Sequence, residues 1–349
     1  MNFKTKLIFG AIALALGGCN NPVFDEEGDC DPHYYAKFVY DMNMEWADAF
    51  SSQVNSVELY VFDPQTGELV KKFEEFDMDV LKQPGYLMPL DLKPGNYEFI
   101  AWCGLHNNME DLFYLPETKS QREHVHCRLE RRYDVDGNPY QDKQLHHLFY
   151  GKINAELPDR EGEHIYQVDL IKNTNNISLS LQHVSGLELT PDMFTVEMSE
   201  GNGHLNHDNS LMDDEDIQYR PWHIRAGGFD ISGQKTSEDS ENLNFFMAEL
   251  STSRLMKDRD PRINIIDNET GQTVYSIPIV KWATTFRSQQ FIDKNNDMHV
   301  IYDDQEYLDR ESTYNIMLYL DSKDEGGWRT SSIFINSWRV VTGDYEANY

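Results

Sequence analysis

Short runs of aromatic and β-branched residues, each cut off by turn residues, confine this chain to an all-β fold. Tyr35-Ala36-Lys37-Phe38-Val39-Tyr40, Val57-Glu58-Leu59-Tyr60-Val61-Phe62 and Tyr97-Glu98-Phe99-Ile100-Ala101-Trp102 have the length and composition of strands. In the second run, Val57, Leu59 and Val61 alternate onto one face of a pleated backbone. Asp63-Pro64-Gln65-Thr66-Gly67 and Lys93-Pro94-Gly95-Asn96 carry proline and glycine where tight turns use them. Few stretches keep the 3.6-residue period of a helix, so the pattern predicts β-sandwiches.

An internal echo predicts two of them. Val61-Phe62-Asp63-Pro64-Gln65-Thr66-Gly67-Glu68-Leu69-Val70 and Ile265-Ile266-Asp267-Asn268-Glu269-Thr270-Gly271-Gln272-Thr273-Val274 both read D-x-x-T-G-x-x-V between apolar runs. Each has the form of one β-hairpin of one domain. The polar stretch Leu157-Pro158-Asp159-Arg160-Glu161-Gly162-Glu163 is the expected boundary, giving domains over 30–160 and 161–349. Ile177-Ser178-Leu179-Ser180-Leu181 alternates again and opens the second. Residues 200–242 are rich in Gly, Ser and Asn and contain Asp213-Asp214-Glu215-Asp216, so they are expected to form an exposed, mobile loop.

The N-terminus carries a different message. Lys4 and Lys6 precede an apolar run from Leu7 to Leu16, far short of the roughly 20 residues that cross a bilayer, so it reads as a signal peptide. Leu16-Gly17-Gly18-Cys19 resembles a bacterial lipobox, which implies removal of residues 1–18 and acylation of Cys19. Several acyl chains hold a protein stably on a membrane where a single chain holds it only marginally. Residues 19–29, polar and acidic, form the expected tether. An acidic group just past a lipidated cysteine resembles the signal that exposes lipoproteins of Bacteroidales on the outer face of the outer membrane.

Removal of the signal leaves about 330 residues, enough for two domains. Cys30, Cys103 and Cys127 then remain in an export context that permits disulfides. Three is odd, so at most one bridge forms within the chain. Cys30 with Cys103 is the preferred pair, since Cys30 lies just outside the first strand and Cys103 ends a core strand.

Sixty acidic residues against 30 Lys plus Arg give a net charge of −30, which argues against a nucleic-acid partner and against electrostatic binding to anionic headgroups. His124-Val125-His126-Cys127 and His146-His147 lack a second ligand cluster at zinc spacing. Asp293-Lys294-Asn295-Asn296-Asp297 lacks the glycine at position 6 and the glutamate at position 12 of an EF-hand loop. No G-x-S-x-G, H-E-x-x-H or P-loop pattern occurs. The residues therefore predict no catalytic group, no metal and no cofactor.

Several blocks together resemble the anchor subunits of Bacteroidales fimbriae, the FimB-like fimbrial lipoproteins. They are the lipobox; Phe38-Val39-Tyr40-Asp41-Met42-Asn43-Met44 after Cys30; Ala47-Asp48-Ala49-Phe50; Val57 to Asp63; and Leu92-Lys93-Pro94-Gly95-Asn96-Tyr97 running into Ala101-Trp102-Cys103-Gly104. Leu148-Phe149-Tyr150-Gly151, Lys172-Asn173-Thr174-Asn175-Asn176-Ile177 and Ile335-Asn336-Ser337-Trp338 look similar too. The resemblance implies two tandem transthyretin-like β-sandwich domains. It also implies a non-enzymatic, lipid-held base that roots a shaft of pilin subunits in the outer membrane, limits its length and joins it by strand addition. Shaft pilins of this group lose an N-terminal segment to an Arg-specific protease. This chain has no arginine between Cys19 and Arg122, so its first strand and its lipid are expected to stay. Any strand exchange then falls to the C-terminal segment around Ile333, Ile335, Trp338 and Val340, the alternative being that this tail simply completes the second sandwich. The competing expectation is a glycan-binding surface lipoprotein that stacks sugars on Trp222, Trp282 and Trp328.

Overall fold

The computed structural model describes residues 31–106, 110–116, 119–229, 243–285, 290–292, 298–300, 302–322, 327–336 and 338–340. The first module begins with β1 (Pro32–Val39), β2 (Val57–Phe62), β3 (Leu69–Glu75), β4 (Met88–Leu90) and β5 (Gly95–Cys103). The chain then leaves the sheet on an excursion carrying β6 (Phe113–Tyr114), β7 (Cys127–Leu129), β8 (Arg132–Tyr133) and β9 (Pro139–Gln141), and returns through β10 (Phe149–Leu157) and β11 (Gly162–Lys172). Seven strands pair in the order β3-β2-β5-β10-β11-β1-β4. Every neighbour in that sheet is antiparallel except β1 and β11, which run parallel over eight pairs from Pro32↔Gly162 to Val39↔Asp169.

All six residues of β2 are buried. Val57, Leu59 and Val61 pack with Ala36, Phe38, Phe99, Ala101, Val168 and Leu170 in one core. On the opposite face Tyr60, Phe62, Ile100 and Trp102 lie under Val125, Cys127 and Leu129 of the excursion. The buried Glu58 carboxylate on that face accepts from the Tyr60 hydroxyl and pairs with Lys72 at 2.9 Å and His106 at 3.0 Å. A carboxylate is tolerated there because each oxygen is matched.

The second module contains β12 (Thr174–His183), β13 (Phe194–Glu200), β14 (His204–Leu205), β15 (Ile217–Tyr219), β16 (His223–Phe229), β17 (Leu243–Ser253), β18 (Arg262–Asp267) and β19 (Thr273–Pro278). It ends with β20 (Gln290–Ile292), β21 (Met298–Val300), β22 (Thr313–Ser322), β23 (Trp328–Ile335) and β24 (Trp338–Val340). One sheet has the order β16-β17-β12-β22-β23-β24 and another β19-β18-β13-β15-β9-β8. Alternation along β12 places Ile177, Leu179 and Leu181 in a core shared with Val196, Met198, Ile263 and Ile265. Two smaller sheets, β14-β7-β6 and β20-β21, complete the described fold. The chain is all-β, as the strand pattern predicts.

The echoed motif makes the same turn twice. Asp63 receives the Gln65 and Thr66 amides on Oδ1, and its carbonyl accepts the Gly67 amide at 2.9 Å. Asp267 receives the Glu269 amide on Oδ1 and the Thr270 hydroxyl on Oδ2, and its carbonyl accepts the Gly271 amide at 2.7 Å. Gly67 and Gly271 sit at φ 71° and 69°, where a side chain is strained. A register shift marks the same place in both hairpins, at Val61/Phe62 and Ile265/Ile266.

Two expectations require correction. The stretch 157–163 is the turn between β10 and β11, and β11 belongs to the first sheet, so the chain crosses between modules at Asn173 and not at 160/161. A turn and a linker share the same polar, Gly- and Pro-bearing composition, which is why the sequence places the boundary too early. The described part of 200–242 is not a surface loop either. Asn202, Leu205, Ile217 and Tyr219 are at most 1% exposed, and Tyr219 donates to Asn202 Oδ1 at 2.6 Å. Polar residues that pair with one another inside look like loop residues in a composition count; residues 230–242 lie outside the described part.

Candidate functional site

Where the modules meet, the chain buries polar side chains that satisfy each other. Asn173 and Asn209 exchange reciprocal amide hydrogen bonds of 2.7 and 3.1 Å, and Asn175 donates to the Ser253 carbonyl at 3.0 Å. Arg254 binds both oxygens of Asp309 at 2.8 and 2.7 Å and donates its remaining arm to the Asn209 carbonyl at 2.6 Å. Paired carboxylate and guanidinium forks of this kind fix orientation as well as charge. Lys172, the last residue of β11, is buried with its amine 3.2 Å from Gln53 Oε1, and burial pushes that amine down to about 8.

A second tie forms on the surface of the seam. Trp46 lies in the connection after β1 with φ 55°, a strained backbone held by Asn43, whose amide donates to the Tyr40 and Ala47 carbonyls. Its indole stacks on Tyr302 at 5.6 Å and donates from Nε1 to the Tyr302 hydroxyl at 2.9 Å. The Arg310 guanidinium sits 3.9 Å from the indole centroid and donates to the Asp41 and Asn43 carbonyls. The helix Asp304–Arg310 that supplies Arg310 starts on an Asp303 cap, whose carboxylate accepts the Gln305 and Glu306 amides.

The excursion supplies a third. β7 pairs with β14 and β9 runs parallel to β15, so residues of the first module extend the sheets of the second. Arg131 closes on Asp214 with two 2.8 Å contacts, both side chains almost fully buried. His126 and His204 share a 2.8 Å hydrogen bond across the same joint. Burial first, then the Arg128 charge, holds His204 down to about 4 and keeps His126 below its usual range.

The anticipated site residues fall in three places. Cys19 and Cys30 lie outside the described residues. Cys103 and Cys127 are buried thiols in separate cores, and the Cys30 half of the expected Cys30–Cys103 bridge lies outside the described residues. Burial pushes both thiols well up. Ile333 and Ile335 are buried on β23 inside the module's own core, while Trp338 and Val340 lie on β24, the last strand of its sheet. The candidate calcium loop Asp293 to Asp297 lies outside the described residues. Among the described residues no group of three or more His, Cys, Asp or Glu side chains is placed to hold a metal ion. Trp282 and Trp328 pack against the large core and Trp222 stacks on His223, so the three tryptophans form no common platform.

Sequence reasoning missed Trp46, Arg310, Arg254, Asp309 and Arg131. The one available signal was the run Lys172-Asn173-Thr174-Asn175-Asn176 at the head of a strand, too polar for a core unless its amides meet partners.

A family model described as fimbrillin-A associated anchor proteins Mfa1 and Mfa2 matches residues 26–344. No curated protein sequence matches significantly. Two solved structures from Bacteroides thetaiotaomicron are similar, a candidate adhesin at 30% identity and a candidate polysaccharide binding protein of the DUF1812 group at 28%. Each has a TM-score of 0.72, over 90% of this chain and 99% of the other. The fimbrial anchor protein Mfa2 from Porphyromonas gingivalis shares the fold at 18% identity and a TM-score of 0.62, over 89% of this chain and 99% of its own. With the match spanning nearly the whole chain beyond its N-terminal segment, the protein belongs to the Mfa2 family of fimbrillin-A associated anchor proteins.

Proposed function

We propose that this chain is the lipid-held base of a fimbrium, fixed in the outer membrane through acylated Cys19 and joined to shaft pilins at the far end of the second module. The observation that carries the reading is the anchor-family match over residues 26–344, together with the Leu16-Gly17-Gly18-Cys19 lipobox ahead of it. The joint is strand addition at the β24 edge. Ile333 and Ile335 commit β23 to its own core, which leaves the three-residue β24 as the strand a pilin segment extends or displaces. A base of this kind limits fibre length by ending assembly at the membrane.

The test removes the gene from its host. Shed or over-long fibres support the reading; unchanged fibres with loss of polysaccharide binding overturn it in favour of a glycan-binding lipoprotein. Cys19→Ala is expected to move the protein out of the membrane fraction, and persistence there counts against acylation.

A further inference from the structure

We propose that β1 and its two neighbours form a tension clamp that keeps the lipid-bearing end attached to the fold when the far end is pulled. The proposal rests on the anchoring reading, since it takes the membrane and the shaft as the two points of load. β1 is the first strand among the described residues, so load from a lipid on Cys19 reaches it at Pro32. It is an internal strand, paired with β11 over eight residues and with β4 over three.

The direction of β11 decides how that load is carried. In a sheet whose other pairs are all antiparallel, β1 and β11 are parallel, with Pro32 beside Gly162 and Val39 beside Asp169. β11 runs on to Lys172 and passes through Asn173 into the second module. Pulling the lipid end against that module therefore slides β1 and β11 past each other along their own axis. The evenly spaced bonds of a parallel ladder then share the load and yield together. Pulling the same strands apart from adjacent ends would open one pair at a time.

The side chains act in the same direction. Ala36 and Phe38 are at most 2% exposed, and Phe38 stacks on Phe50 at 5.8 Å, so a slipped register would drive core residues out of place. Beyond β1, Trp46 is pinned by Arg310 and Tyr302, so drawing the strand towards the membrane must also break contacts with the second module. The second module repeats the arrangement, for β12 pairs in parallel with β22 from Asn176↔Thr313 to His183↔Leu320. Two antiparallel steps then turn the chain through β23 into β24, which points the same way as β12. Load leaving at the β24 edge is again along the strands.

Single-molecule pulling on the isolated mature chain tests this without a fimbrium. One handle is placed at the N-terminal end. The second is placed either in the exposed turn at Leu187, just past β12, or in the exposed turn at Asp159, just before β11. The first arrangement shears β1 against β11 and the second peels them apart. Release of β1 is expected to need a several-fold higher force in the Leu187 arrangement. Equal forces, or a lower force in that arrangement, overturn the clamp while leaving the anchoring reading to its own genetic test.

Discussion

At the scale of single residues, the seam depends on charges that can be buried only in pairs. Arg254 and Asp309 are each about nine-tenths buried and share two hydrogen bonds. Removing one partner of such a pair leaves the other charge unmatched, which costs about 3–5 kcal/mol. Asp309→Ala should therefore lower the unfolding free energy in urea by that amount, and a loss below about 1 kcal/mol would place the pair in the range of a solvated surface contact. The His126–His204 bond adds a pH dependence. It needs one ring to donate and the other to accept, and Arg128 and Arg131 disfavour added positive charge there, with His124 opposing it at His126 and Asp214 favouring it at His204. In the unfolded chain His204 titrates near its usual 6.5, against about 4 in the fold. Between these values the unfolded chain takes up a proton that the folded chain refuses, so stability is full above 6.5 and falls as pH drops towards 4. His204→Gln should flatten that stretch of the stability curve, and an unchanged slope would mean that carboxylates alone set it.

At the scale of elements, the turns were the most legible part of the molecule. The D-x-x-T-G pattern specifies its own hydrogen bonds, because a short carboxylate reaches the amide two residues on and the amide or hydroxyl of the threonine three residues on, and a glycine takes the left-handed position. Its second copy therefore predicts a second hairpin from the sequence alone. A Cβ on Gly271 would meet nothing within 4 Å, so Gly271→Ala isolates the conformational cost, about 1–2 kcal/mol. A smaller loss in thermal or urea unfolding would show that the turn relaxes. Edges were less legible, since Ile333, Ile335, Trp338 and Val340 alternate in the same way along the sequence. Pairing with β22 separates β23 from the edge strand β24. Truncation after Asn336 should accordingly leave a folded chain with its melting profile little changed but with pilin capture lost. Capture that survives the truncation would place the joint on another edge.

At the scale of the whole molecule, the internal echo and the length predict two sandwiches but not how closely they are joined. The reason is that strand patterns report which face is buried and not which module buries it. Leu129 and Trp102 come from the first module, yet they share one continuous core with Leu179 and Ile263 of the second. The excursion between β5 and β10 places β9 beside β15, so a cut at Asn173 would strip a sheet of two of its strands. Modules joined in this way have little stability to keep separately, in contrast to domains that meet across a small polar surface. Unfolding of the full chain should therefore be one transition, with far-ultraviolet circular dichroism and tryptophan fluorescence coinciding in denaturant. The fluorescence probe is informative because Trp102 is buried in the first module and Trp328 packs in the second. Two separated transitions would mean that the shared core adds little. A single one would mean that the two modules form one cooperative unit with no weak internal joint.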